Sequence, residues 1–132
     1  MSDTQEESAR RFSVLAHASA LLGLILPLGQ LLGPYLTSLL IPPHAERARQ
    51  HAVEALNFQL NMVVLVMVLV AVLLWLRAGW WFLILLIPNL YAFGMAVWGA
   101  TKASRGYLFR YPWVLRLLPA SRFSRDPRSL DA

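Results

Sequence analysis

Two uncharged apolar runs, residues 56–76 and 82–101, constrain this chain more than any other feature. Each is about 20 residues long, which is the length that an α-helix needs to cross a hydrocarbon core of about 30 Å. The connection between them, RAGWW, has an arginine and a glycine to end the first helix and two tryptophans that favour a membrane interface. The pattern predicts two full transmembrane helices joined by a tight turn, with Pro88 kinking the second.

The composition agrees with a membrane setting. Of the 132 residues, 58% are hydrophobic and only 14% are charged, and the mean hydropathy is +0.52. A soluble domain of this size is about half apolar and about a quarter charged. The net charge of +5 comes from basic residues beside the apolar runs, where lipid headgroups account for them better than nucleic acid does. The chain has no cysteine, which excludes disulfides and thiol chemistry.

A third apolar segment, residues 12–41, contains helix-breaking residues in its centre. As a straight helix it would measure about 45 Å, well beyond the hydrocarbon core. If the segment crosses once, the twelve basic residues divide nine to three across the membrane; if it re-enters as two half-helices, they divide eleven to one. The positive-inside rule favours the re-entrant arrangement, with a cytoplasmic carboxyl terminus. The break is assigned to Pro27, Gly29, Gln30, Gly33 and Pro34.

The chain divides into three parts on this interpretation. Residues 1–11 are expected to form a solvated amino-terminal tail, residues 12–118 the membrane domain, and residues 119–132 a basic cytoplasmic tail. The amino terminus is acidic before its two arginines and lacks a convincing cleavage site, so the first apolar segment is expected to remain in the mature protein.

Polar side chains mark one face of the helix that leads into the first span. At 100° per residue, this face carries His51, Glu54, Asn57 and Asn61, here called the polar ridge, preceded by Arg47 and Gln50. Polar groups are costly in lipid, so the ridge is expected to face the bundle interior and to cap segment 27–34. Transport or catalysis is the alternative to this structural role. The candidate partners of the Glu54 carboxylate are Arg10, Arg11, Arg47 and His51.

Small residues define a face of the second span. Such residues at four-residue spacing let helix backbones approach closely in lipid. The face fits packing within the chain, and a docking surface for another subunit is the second possibility. Its residues are Asn89, Ala92, Ala96, Gly99, Ala100 and Ala103.

The carboxyl-terminal stretch, residues 102–125, alternates basic and aromatic residues. Directly after a span, this pattern favours an interfacial belt over nucleic-acid binding. Pro112 is suited to start a short interfacial helix whose basic side chains reach lipid phosphates. The interfacial residues are Arg110, Tyr111, Trp113 and Arg116.

No catalytic or metal-binding pattern emerges. His44 and His51 could share a helix face, but a metal site needs three or four convergent ligands, and His17 belongs to another segment. The serines lack a nucleophile motif, and phosphate-binding and dinucleotide-binding glycine patterns are absent. We therefore expect no metal, no cofactor and no enzyme activity, with His51 and Glu54 as the weaker enzymatic alternative.

Three motifs resemble a known family. They are LPLGQLLGPYL (26–36), HAVEALNFQ (51–59) and KASRGYLFRYP (102–112), and the chain resembles the bacterial relatives of the chloroplast inner-envelope import component (Tic-type) family over about residues 12–118. That family consists of small helical membrane proteins, and its plastid member belongs to a protein-conducting complex. Gln30 departs from the asparagine often found there. The matching positions are Pro27, Gly29, Gly33, Pro34, His51, Glu54, Asn57, Phe58, Gln59, Arg110, Tyr111 and Pro112.

The sequence thus predicts an all-α membrane protein: a small helical bundle with a broken first element, two transmembrane helices and a carboxyl-terminal interfacial helix. The expected function is that of a non-catalytic accessory or scaffold subunit in a bacterial cytoplasmic (inner) membrane. Its expected partners are the lipid bilayer and other membrane subunits or further copies, without nucleic acid. The alternative is a homo-oligomeric channel, carrier or translocation component in which the ridge and the break line the path.

Overall fold

Four α-helices make up the computed structural model, which describes residues 3–20, 29–42, 45–77, 79 and 81–119. They are α1 (Asp3–Ala18), α2 (Gly29–Leu40), α3 (Glu46–Trp75) and α4 (Trp81–Ser104), and the described residues contain no strand. This confirms the all-α prediction.

Helices α3 and α4 are long and apolar enough to cross a membrane. Their apolar side chains point outward along the second half of α3 and most of α4; Met67 and Ile87, for example, are 67% and 68% exposed. Contiguous exposure of this kind is unfavourable in water and favourable in lipid. Both helices predicted as spans are present with the length and composition that a span needs, and Pro88 lies inside α4.

Helix α3 begins ten residues before the predicted span. Every residue from 51 to 59 is buried in the protein, whereas the apolar residues that follow are largely exposed. The polar ridge and the span are therefore two halves of one continuous helix, the first covered by the rest of the chain and the second available to lipid.

The amino-terminal residues differ from the expected tail, because α1 begins at Asp3. Asp3 and Glu6 occupy the first turn, where negative charge is favoured by the helix dipole. Glu7 and Arg11 form an ion pair four residues apart at 2.6 Å. Residues 3–7 are exposed, so this segment is solvated but helical.

The position of the predicted break is also corrected. Gly29, Gln30, Gly33 and Pro34 lie inside α2, while Pro27 lies outside the described residues. Pro34 removes one backbone hydrogen bond near the start of α2 without ending the helix.

Helix α1 and the residues that follow it contact α2. Thr37 Oγ1 lies 3.3 Å from Ser19 Oγ, and the Ser19 carbonyl lies directly against Gly33. In one straight helix, residues 19 and 33 would be about 21 Å apart. Helices α1 and α2 therefore pack against each other and do not form one continuous rod.

No helix follows Ser104 within the described residues, so the predicted interfacial helix is wrong. Trp113 has a φ of 58°, which a right-handed helix cannot accommodate. Residues 107–119, here called the C-terminal segment, instead lie along α3 and are held by side chains of that helix.

The core is built mainly from small side chains, which allow close helix packing. One cluster contains Ala16, Ile41, Ala45, Ala48 and Ala52, and another contains Ala55, Phe58 and Tyr111. The functional groups described next lie beside these clusters.

Candidate functional site

Two asparagines of the polar ridge bind the backbone of the C-terminal segment. Asn57 Nδ2 donates to the Leu118 carbonyl at 2.9 Å, and the Leu118 N–H donates to Asn57 Oδ1 at 2.8 Å. Asn61 makes the same pair of bonds with Leu115, at 2.8 and 3.1 Å. Each side-chain amide thus pairs with one residue's N–H and C=O, as a neighbouring strand would.

An ion pair also joins the C-terminal segment to α3. Arg116 Nε donates to Glu54 Oε1 at 2.9 Å, and the Glu54 side chain is largely buried. Because Leu115 lies beside Asn61 and Leu118 beside Asn57, the C-terminal segment runs antiparallel to α3. Three of the four ridge residues therefore each have a polar partner within residues 115–118.

The ridge faces the protein, but within the described residues its side chains make no hydrogen bond to residues 29–34, which they were expected to cap. The predicted partners of Glu54 are also replaced by Arg116. Helical periodicity identifies which side of α3 is polar, but it does not specify which part of the chain covers that side.

The fourth ridge residue, His51, belongs to a buried hydrogen-bonded triad. His17 Nε2 lies 2.8 Å from His51 Nδ1, and His17 Nδ1 lies 2.7 Å from the Tyr111 hydroxyl. The three side chains are 0%, 1% and 2% exposed, respectively. The structure thus brings together α1, α3 and the C-terminal segment through residues 34 and 94 positions apart.

The direction of these hydrogen bonds follows from the ionisation of the triad. Burial and the nearby Glu54 carboxylate raise the pKa of Tyr111, so its phenol stays protonated. Within the described residues, His17 Nδ1 is the acceptor available to this hydroxyl. A buried hydroxyl without an acceptor costs about 1–3 kcal/mol, so Tyr111 donates to His17. His17 then donates from Nε2 to His51 Nδ1, which leaves the His51 proton on Nε2.

Aromatic rings surround the triad. The Tyr111 ring stacks on Phe58 with 4.1 Å between centroids, and Phe109 packs edge-on at 4.9 Å. Tyr111 is therefore a core residue, which corrects its assignment to the membrane interface. Trp113 is 98% exposed, and Arg110 is also exposed.

His17 was not predicted to be a site residue. The available signal was an ionisable side chain within the apolar segment 12–41, where such groups usually have a specific partner. Its partners lie on distant parts of the chain, so spacing could not identify them. No three described His, Cys, Asp or Glu side chains are arranged to hold a metal ion.

The small-residue face packs within the chain at Ala96, Gly99 and Ala103, which are buried. Ala92 and Ala100 are half-buried. Asn89 is exposed and donates to the Leu85 carbonyl of its own helix. The buried part of this face is covered by this chain's own residues, including His17 and Tyr111 at Gly99.

Replacing Gly99 with alanine is expected to destabilise the protein by about 1–2 kcal/mol. A methyl group at Gly99 would lie 2.8 Å from His17 Nδ1 and 3.1 Å from the Tyr111 hydroxyl. Gly94→Ala on the same helix is the matched control, because nothing lies within 4 Å of its Cβ position. Unfolding of both variants in detergent checks this; equal stability would contradict the close packing around the triad.

Stability is expected to fall as the pH drops below about 6.5. His17 lies on α1, which is not one of the two candidate spans, and burial, followed by the nearby His51, lowers its pKa to about 3. The unfolded chain binds a proton at His17 below pH 6.5 while the folded chain does not, so acid favours unfolding in the window from 6.5 to 3. Between pH 6.5 and 5 the loss should be about 2 kcal/mol.

The measurement is unfolding in detergent at pH 7.5, 6.5 and 5 for the wild type and for His17→Gln, which does not titrate in this window. The difference in the free energy of unfolding between the wild type and His17→Gln should change with pH only below 6.5. A constant difference across all three values would show that His17 is not held neutral.

A polar cavity of about 370 Å³ lies beside the triad. It is bounded by α1, the start of α3 and the end of α4, where Ala103 and Gly106 contribute to the wall. His51 belongs both to the triad and to the lining of the cavity. The polar residues that line it are Glu6, Arg10, Ser13, Glu46, Arg47 and His51.

Comparison with family models identifies a match over residues 8–118. The matching family, MamF/MmsF, is described as the magnetosome magnetite crystal formation protein family. The matched region contains all three residues of the triad and ends at Leu118, which is bound by Asn57. Searches of curated proteins and of solved structures find no match.

The family assignment corrects the resemblance inferred from sequence motifs. The motifs at 26–36, 51–59 and 102–112 suggested a Tic-type import family, but the model that matches this chain is a different one. Short motifs in a helical membrane protein reflect bundle packing as well as ancestry, so they discriminate poorly between such families. With 8–118 of its 132 residues matched, this chain belongs to the MamF/MmsF family of small magnetosome membrane proteins.

Proposed function

We propose that this chain is a non-catalytic accessory subunit of the membrane assembly in which a magnetite crystal forms. The family description supports the setting. The two apolar helices with outward-facing side chains support a membrane location.

The observation that favours an accessory role over a transport path is that the polar ridge binds the C-terminal segment of the same chain. Asn57 is buried, and both of its side-chain polar atoms are bonded to Leu118. Asn61 is bonded to Leu115 in the same way, and Glu54 Oε1 accepts a hydrogen bond from Arg116. A permeation path needs polar groups that can exchange partners with a solute, whereas these groups stabilise the chain's own fold.

We further propose that the protein lies in the bacterial cytoplasmic (inner) membrane, with the polar end of the bundle facing the cytoplasm. Helix α3 begins and α4 ends at this side of the bundle, where Arg47, Lys102, Arg105 and Arg110 are found. Arg77, in the α3–α4 turn, is the basic residue at the other end. The distribution follows the positive-inside rule.

Deletion of the gene in a magnetite-forming bacterium tests the proposal. We expect crystals of altered size or shape by electron microscopy, and full rescue by the wild-type gene. The tagged protein should co-purify with other membrane proteins in mild detergent. Normal crystals in the deletion strain, together with a monomer that binds no partner, would contradict the accessory role.

Proteoliposomes containing only this protein test the rival function. We expect no flux of iron or protons above that of empty liposomes. A protein-dependent flux that Asn57→Ala or Asn61→Ala alters would favour the channel or carrier instead.

A further inference from the structure

We infer that the polar cavity between α1, the start of α3 and the end of α4 binds a phosphate-type oxyanion. The cavity measures about 370 Å³, which is large enough for a phosphate group and its water. Its lining contributes two guanidinium groups from different helices, Arg10 of α1 and Arg47 of α3.

Two of the nearby acidic residues pair with other arginines, which leaves Arg10 and Arg47 available to bind an anion. Glu7 pairs with Arg11, and Glu46 pairs with Arg49 at 3.6 Å. Within the described residues, neither Arg10 nor Arg47 forms an ion pair with a carboxylate, and Arg47 makes a single long hydrogen bond of 3.4 Å to the Gly106 carbonyl. Glu6 and Glu46 are the two carboxylates of the lining that oppose an anion, and both side chains are exposed.

The buried triad supplies a third donor. Because Tyr111 donates to His17 and His17 donates to His51 Nδ1, the His51 proton is fixed on Nε2. Nδ1 is occupied, and Nε2 is the ring nitrogen of His51 left for the cavity that this residue lines. A histidine N–H together with two guanidinium groups is a donor set that suits phosphate oxygens.

A neighbouring groove indicates how a lipid could supply that phosphate. The groove, of about 550 Å³, shares Arg10 with the cavity and is otherwise lined in part by Val14 and Leu15, the latter half exposed. An acyl chain against these apolar residues would place a headgroup phosphate near Arg10. The ligand chemistry is therefore a phosphate group, from either an anionic lipid or free phosphate.

The experiment uses the full chain in a neutral detergent at pH 7.5. One arm measures binding of inorganic phosphate by equilibrium dialysis. The other measures retention of phosphatidylglycerol against phosphatidylcholine by native mass spectrometry. The cavity variant is Arg10→Gln/Arg47→Gln, and the charge-matched control is Arg105→Gln/Arg110→Gln, which removes two exposed arginines that do not line the cavity.

Binding in at least one arm should weaken about tenfold or more in the cavity variant and less than about twofold in the control. Binding of phosphate alone assigns the site to the free anion, and selective retention of phosphatidylglycerol assigns it to a headgroup. Absence of binding in both arms overturns the inference. Equal losses in the two double variants also overturn it, because the attraction would then be one of net charge.

Tyr111→Phe tests the positioning part of the inference. The variant keeps all charges and the ring that stacks on Phe58, but it removes the donor that orients His17. Binding should weaken about threefold while circular dichroism and elution volume stay unchanged. Unchanged affinity would show that the triad does not set the donor presented by His51.

Discussion

Replacing Gly33 with alanine should destabilise the protein by more than about 3 kcal/mol and separate α1 from α2. A methyl group at this position would overlap the Ser19 carbonyl and lie 2.9 Å from the Ser19 Cβ. The obstacle is backbone, which cannot move aside as a side-chain end can. The contact also positions Thr37, whose hydroxyl bonds the Gly33 carbonyl at 2.9 Å and lies 3.3 Å from Ser19 Oγ.

Unfolding in mild detergent, followed by circular dichroism, measures this effect. Gly94→Ala on α4 is again a suitable control, since its Cβ position is open and alanine favours a helix. If Gly33→Ala unfolds like the wild type, α1 and α2 do not pack in the way described.

The second large effect is expected for Asn57→Ala/Asn61→Ala, which should lower the free energy of unfolding by about 3–5 kcal/mol. The double variant removes four hydrogen bonds between α3 and the backbone of Leu115 and Leu118. The C-terminal segment should then detach, which would withdraw Arg116 from Glu54 and loosen Tyr111 in the core.

Asn89→Ala is the matched control, because the exposed Asn89 side chain, among the residues that the structure describes, bonds the Leu85 carbonyl of its own helix. Its substitution should change stability by less than about 0.5 kcal/mol. Asn57→Asp should resemble Asn57→Ala, since a carboxylate cannot donate to the Leu118 carbonyl. A double variant as stable as Asn89→Ala would refute the structural role of the ridge.

Local physical signals predicted the helices but not what covers them. The two apolar runs identified the candidate spans because a membrane requires long uncharged helices. A continuous stretch of sequence is enough to recognise such a helix. The polar side of α3 followed from periodicity in the same way. Its partners Leu115 and Leu118 are apolar residues that form these hydrogen bonds through their backbone. The identity of their side chains therefore does not indicate the contact.

The errors have related causes. Pro112 and the aromatic residues around it fit an interfacial helix locally, but the amides of Asn57 and Asn61 satisfy the backbone of this segment without a helix. Gly33 and Pro34 were interpreted as breakers, whereas Gly33 serves close packing against Ser19. His17 was set aside because its partners lie far along the chain; such long-range contacts depend on the tertiary fold and leave no periodic pattern.

Amide hydrogen exchange at Leu115 and Leu118 is the most direct test of the central claim, that polar side chains of α3 hold the C-terminal segment along that helix. In the wild-type protein, reconstituted in detergent or nanodiscs, both amides should exchange far more slowly than in an unstructured chain, because each donates to an asparagine side chain. This protection should persist in Asn89→Ala and disappear in Asn57→Ala/Asn61→Ala. Exchange of both amides at the unstructured rate in the wild type would contradict the account.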